Sequence, residues 1–146
     1  MECLVLVKNH VTLNHLKTLM NTDQVQLTEQ QIARGRRFCQ ALRDNPVKCK
    51  RWMRDPLSGG RCCLAVALDT AIKDGFDPPM PVEHFISLPP EQLKEWYGWD
   101  NRNPTLTIHG QPRSASYIND GILCGEEITH KQIAELFENA YPQLRN

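Results

Sequence analysis

The sequence predicts an α+β fold in a single small domain spanning residues 1–146, with a central apolar helix and amphipathic helices set against a small antiparallel sheet. Three patterns point there. After Gly59-Gly60 the chain runs from Cys62 to Leu68 through apolar residues only, and small side chains on several sides suit a helix packed on more than one face. Two segments open with a threonine followed three residues later by a glutamine, Thr28 with Gln31 and Thr129 with Gln132, which is the spacing of a reciprocal capping box. Two β-prone runs, 105–109 and 114–118, flank Gly110-Gln111-Pro112, a turn signal that predicts a hairpin.

Taken in order, the β-branched and Leu-rich residues 3–7 suit a buried strand, and Leu13 to Met20 a short helix. The Thr28 box starts a helix over 29–43, stopped by Asp44-Asn45-Pro46 because the proline disfavours helical backbone just before it. On it Ile32, Phe38, Cys39 and Leu42 form an apolar face, with Arg36, Arg37 and Arg43 mostly elsewhere. Residues 45–60 hold two prolines, two glycines and four cations around Trp52, and read as an irregular excursion. There Trp52 either grips a ligand or plugs the core beneath the loop. The central helix over 62–74 ends at Gly75, the natural left-handed C′ residue. A proline-rich stretch precedes 82–88, a candidate strand, so that the sheet is expected from 3–7, 82–88 and 105–118. Pro89-Pro90 leads a short helix with Leu93, Trp96 and Tyr97 on one face and Gly98 as its stop. Of the three large rings Trp96, Tyr97 and Trp99, at least one is expected at an accessible position. The Thr129 box starts a last helix with Ile133, Leu136, Phe137 and Ala140 inward.

With 40% hydrophobic residues and no apolar run near the roughly 18 residues of a membrane span, a cytoplasmic protein is expected, host-cell cytoplasm if a phage encodes it. Its six cysteines then stay reduced. None are spaced as C-x2-C or C-x4-C, and adjacent Cys62 and Cys63 point in different directions on a helix, so neither a metal nor a cofactor is expected. Phosphate-loop and dinucleotide glycine patterns are missing, as are the aromatic strings and fingers of nucleic-acid modules.

Charge is the most informative feature for function. Nine of the seventeen Lys and Arg residues lie between Arg34 and Arg61, opposed only by Asp44 and Asp55, a net +7, while residues 62–146 carry a net −6. Seven of the nine are Arg, whose planar fork pairs with phosphate and stacks on flat rings. A solvated face would give the same count without a ligand.

The strings Gly60-Arg61-Cys62-Cys63-Leu64-Ala65-Val66-Ala67, Leu88-Pro89-Pro90-Glu91 with Trp96-Tyr97-Gly98-Trp99, and Ile118-Asn119-Asp120-Gly121 stand in this order before the Thr129 helix. Over roughly residues 36–140 this order resembles a group of small uncharacterised phage and bacterial proteins. That group carries Cys-Cys-Leu-Gly-Val, Leu-Pro…Trp-Gly-Leu and Leu-Asn-Asp-x-Gly segments. This chain departs from it with Ala65 in place of Gly and Ile118 in place of Leu. The resemblance implies a mobile-element origin and, by analogy with small phage proteins, host defence evasion by binding.

Three functions follow as expectations. The first is a non-enzymatic binder that sequesters an anionic nucleotide-derived ligand through Arg36, Arg37, Lys50, Arg51, Arg54 and Arg61, with Trp52 and Trp99 stacking and Asn119 reading an edge. The second is a protein inhibitor docking its basic loop on a host enzyme or a nucleic-acid-binding defence complex, and a homo-oligomer is compatible with either. The third is a cysteine-dependent hydrolase, with Cys62 or Cys63 activated at a helix N-terminus beside Arg61, and His109 and Asn119 or Asp120 as base and orienter. Against that, Asn119-Asp120-Gly121 also reads as a turn, and His10, His15, His84 and His130 as surface or satisfied core groups.

Overall fold

The computed structural model describes residues 26–121 and 127–145. The first expected strand, over 3–7, and the helix over 13–20 lie outside the described residues, as do Cys3, Cys124, His10 and His15. Helix α1 spans Glu29–Arg43, and both halves of its capping box form: Gln31 N donates to Thr28 Oγ1 at 3.1 Å and Thr28 N to Gln31 Oε1 at 3.0 Å. Helix α2 spans Cys63–Lys73, starts on the Cys62 thiol as N-cap and is followed by Gly75 at φ +107°, a left-handed stop. Helix α3, Leu93–Tyr97, stops at left-handed Gly98. Strands β1, Thr105–Ile108, and β2, Gln111–Ser114, pair antiparallel, with Thr105 opposite Ser114 and Ile108 opposite Gln111. Their two-residue loop, His109-Gly110, has positive φ at both positions, as a tight hairpin requires. Helix α4 spans Ala115–Asn119, and helix α5, His130–Ala140, carries the second capping box.

The architecture is α+β, with α2 at the centre: Cys63 to Leu68 are all buried, as its composition predicts. Helix α1, with Phe38, Cys39 and Leu42 buried, packs against it, and α5, with Ile133, Ala134 and Phe137 buried, packs against α1 and β1. Phe38, Tyr97, Trp99 and Phe137 form one aromatic cluster, with Tyr97 and Trp99 stacked at 4.7 Å between centroids and Phe38 edge-on to Phe137 at 4.9 Å.

The sheet is smaller than expected. Residues 82–88 form no strand: Val82–His84 is a 3-10 turn, closed by His84 N to Pro81 O at 3.0 Å and Phe85 N to Val82 O at 3.1 Å. Three prolines just upstream withhold ladder donors and preset a turning backbone, so Val82 and Phe85 meet the core at a spacing of three rather than two. The second run also departs from expectation. The strand ends at Ser114, whose hydroxyl caps α4, and Ala115 and Ile118 are buried at helical spacing. Of the rings near α3, Trp96 is the half-buried one, while Tyr97 and Trp99 belong to the core.

Among the described residues no helix is long and apolar enough to cross a membrane.

Candidate functional site

Most cations of the basic window reach carboxylates that lie later in the chain. Arg37 Nε meets Asp74 at 2.7 Å, Arg43 grips Glu138 with both terminal nitrogens, and Lys50 reaches Glu127 at 2.7 Å. Arg54 forks onto Asp69 at 2.7 and 2.6 Å, and Arg61 takes an oxygen of the same carboxylate at 2.6 Å. Burial alone would raise the Asp69 carboxyl, but hydrogen bonds from both guanidiniums outweigh it and hold the group below the usual range. Five of the nine cations are thus met in space by four carboxylates from later in the chain.

The other cations serve the main chain. Arg34 lies over the Trp96 ring at 3.4 Å and donates to its carbonyl. Arg36 clamps the carbonyls of Gln143, Leu144 and Arg145, fastening the 3-10 turn Pro142–Leu144 to α1. Lys48, nearly buried, donates to the Asn119 carbonyl, and burial is the main cause that lowers its pKa. Arg51 differs: its guanidinium has no partner among the described residues, and its backbone sits at φ +73°.

What holds the excursion in place is Asn119. Fully buried at the end of α4, its amide oxygen accepts from Cys63 N at 3.0 Å and its amide nitrogen donates to Cys49 O at 2.9 Å. The neighbouring Asp120 carboxylate accepts from Arg51 N at 2.9 Å. Asn119-Asp120 therefore pins the 48–52 loop to the first turn of α2, and Gly121 turns the chain away at φ +65°. The turn reading captured Gly121 but not the clamp, for which a polar pair at the end of an apolar stretch is the available sequence signal.

Pinned this way, the loop sends Met53 inward, 1% exposed, and leaves Trp52 55% exposed. The core plug is Met53. From there the chain folds back on itself: Asp55 N donates to Gly60 O at 2.8 Å, Cys62 N to Met53 O at 2.9 Å, and Arg54 bridges Arg61 in antiparallel fashion. On the other side Met53 N donates to Ile86 O at 2.6 Å, bringing the 82–86 turn alongside. Between them lies a groove of about 600 Å³ whose apolar lining is Trp52, Pro56, Val82, Phe85 and Ile86, and whose charged lining is Arg54 and Glu83. A shallower depression of about 310 Å³ adjoins it, sharing Arg54 and Pro56 and bounded by Gly59, Gly60 and Arg61.

Of the sequence-predicted residues, Trp52, Arg54 and Arg61 thus come together around the groove and its adjoining depression, with Arg51 the chain neighbour of Trp52. Arg36 and Arg37 are engaged with the C-terminal turn and with Asp74, Lys50 with Glu127, Trp99 lies in the aromatic core, and Asn119 is the clamp beneath the loop. Missed by sequence reasoning were Val82, Phe85 and Ile86, which were read as strand.

Cys62 and Cys63 are both buried. Burial pushes the Cys62 thiol up to about 11 and the Cys63 thiol well above its ordinary value, against the lowering a nucleophile needs. Another cleft, of about 540 Å³, lies between α5 and the hairpin tip, where Glu138 is paired with Arg43 and Asn139 with Arg145. Among the described residues no three His, Cys, Asp or Glu side chains gather where a metal ion would be held.

The chain matches no family model, and neither a curated protein nor a solved structure matches it.

Proposed function

We propose that this is a non-enzymatic binding protein that docks through the Trp52 groove onto the surface of a partner protein. The observation that carries this is a concentration of exposed large apolar side chains beside largely neutralised charge. Trp52 and Ile86 line the groove at 55% and 59% exposure, while Leu57 next to Pro56 and Met80 just before Val82 are 96% and 47% exposed. Tryptophan with arginine at the edge is the composition of an interface hot spot, and burying such rings is a main source of docking energy. Local charge around the groove is nearly balanced, since Asp69 faces Arg54 and Arg61, and Glu83 lies in the lining. That balance suits a protein surface better than a multiply charged phosphate. In the form implied by the motif resemblance, the partner is a host enzyme or defence protein and the docking inhibits it.

The test is co-purification with the full chain from its native cells, comparing wild type with Trp52→Ala/Ile86→Ala. A stoichiometric partner lost in the double variant at unchanged melting temperature supports the reading; a partner retained equally by both refutes it.

A second reading, sequestration of an anionic nucleotide-type ligand, draws on Arg51 beside exposed Trp52: a base stacked on the ring and one phosphate on the guanidinium. Calorimetry against mono-, di- and cyclic nucleotides tests it. Binding that weakens with salt and disappears in Arg51→Ala favours this reading over protein docking.

A further inference from the structure

We infer, resting on the docking reading above, that the occupant of the groove is an extended peptide segment of the partner that adds as a strand along Arg54. Its large apolar side chain would sit against Trp52, with an acidic side chain within two residues of it. The antiparallel bridge between Arg54 and Arg61 is flanked by Cys62 N to Met53 O and Asp55 N to Gly60 O. In that pattern the amide and carbonyl of the bridged residue face away from the partner strand. Arg54 N–H and C=O consequently point away from Arg61, and neither bonds any described residue. A main-chain donor and acceptor beside an apolar groove is what strand addition uses: the ladder gives affinity and a pocket for alternate side chains gives specificity. A helix would satisfy its own backbone and leave this pair unmet.

Charge complementarity sets the acidic residue. Arg51 is the exposed guanidinium with no described partner, and Arg54 and Arg61 share the single carboxylate of Asp69. Of the opposing carboxylates, Asp55 is taken up by its own turn, accepting from Leu57 N at 3.0 Å and Ser58 Oγ at 2.8 Å, which leaves Glu83 across the groove. An acidic side chain therefore finds a counter-charge in Arg51, the chain neighbour of Trp52, and repulsion at Glu83 in the groove lining.

The experiment is selection of random twelve-residue peptides on the full chain, with Trp52→Ala as counter-selector, followed by titration of the enriched peptides. The expected peptides carry an acidic residue within two positions of a bulky apolar one. They should weaken about tenfold on Arg51→Gln, weaken by a similar factor on N-methylation at one backbone position, and slow hydrogen exchange of the Arg54 amide. Trp52-dependent peptides that leave Arg54 exchange unchanged, or show no acidic preference, overturn strand addition while the docking reading stands. Failure to enrich any Trp52-dependent peptide also overturns it, and the co-purification experiment then judges docking separately.

Discussion

The amide of Arg51 donates to the Asp120 carboxylate at 2.9 Å while its own backbone stands at φ +73°. A left-handed arginine costs about 1 kcal/mol or more, so the loop keeps this shape because Asp120 holds it. Asp120→Ala should destabilise the protein by about 1–2 kcal/mol in urea unfolding and speed exchange of the Arg51 amide. Asp120→Asn keeps an acceptor and should restore most of both. Equal loss in the two variants would show that the hydrogen bond is not what shapes the loop.

Asp69 sits between two guanidiniums, so removing it leaves Arg54 and Arg61 facing one another without a counter-charge. All three side chains are about a quarter to a third exposed, which discounts the cost below that of a fully buried pair. Asp69→Ala should cost about 2 kcal/mol in chemical denaturation and lessen any Trp52-dependent docking, because Arg54 belongs to both the strand and the groove. Unchanged stability would mean that solvent screens this cluster completely.

Cys62 and Cys63 should resist iodoacetamide in the folded protein near neutral pH and react only after unfolding. Both thiols are buried and held protonated, Cys62 at about 11, and the thiolate is the reacting form. Peptide mass spectrometry after timed labelling reads this directly. Fast native labelling of either would revive the cysteine-hydrolase alternative.

Gly98→Ala should destabilise by about 2–3 kcal/mol through two additive causes. The position is left-handed at φ +80°, and a Cβ there would collide with Leu27 and come within 2.9 Å of Gln31 Oε1. Gln31 is the residue that completes the α1 capping box and donates to Glu95 O at 2.9 Å, so the clash would also loosen the contact between α1 and α3. Gly75→Ala is the control: its φ is +107° with open space around it, so only the backbone cost remains.

Features set by neighbouring residues were legible in the sequence. Both threonine caps, the Gly75 and Gly98 stops and the apolar faces of α1 and α2 follow from side chains within a turn of one another, whereas on α5 Ile133 and Phe137 turn inward as expected but Ala134, not Ala140, is buried with them. Val82 to Leu88 misled because its apolar and polar residues fit a strand, whereas the upstream prolines decide the backbone. Charge misled more deeply. Lys50 finds Glu127 across 77 residues and Arg43 finds Glu138 across 95, so cations clustered in the sequence are paired by carboxylates remote in it. No local pattern reveals such pairings. Trp52 and Met53 illustrate the same limit on a smaller scale: which of two adjacent side chains turns inward depends on Asn119 gripping the loop from the far end of α4.

His130 should make the fold lose stability on mild acidification. It is buried at the first position of α5, with Nδ1 on the Asn45 carbonyl and Nε2 unpartnered. Burial lowers its pKa below the ordinary 6.5, and the charges of Lys48 and Arg61 push the same way, outweighing the Asn45 and Arg61 backbones, which favour the charged form. A positive charge at a helix N-terminus is unfavourable as well. The folded protein therefore keeps this ring neutral where the unfolded chain already binds a proton. Stability from this group is complete above 6.5 and is lost as pH falls from there through the lowered folded value. Melting temperatures measured from about pH 8 to about pH 5 should fall more steeply for wild type than for His130→Asn, which keeps a donor for Asn45 but does not titrate. Parallel slopes in the two proteins would assign the acid sensitivity to other groups.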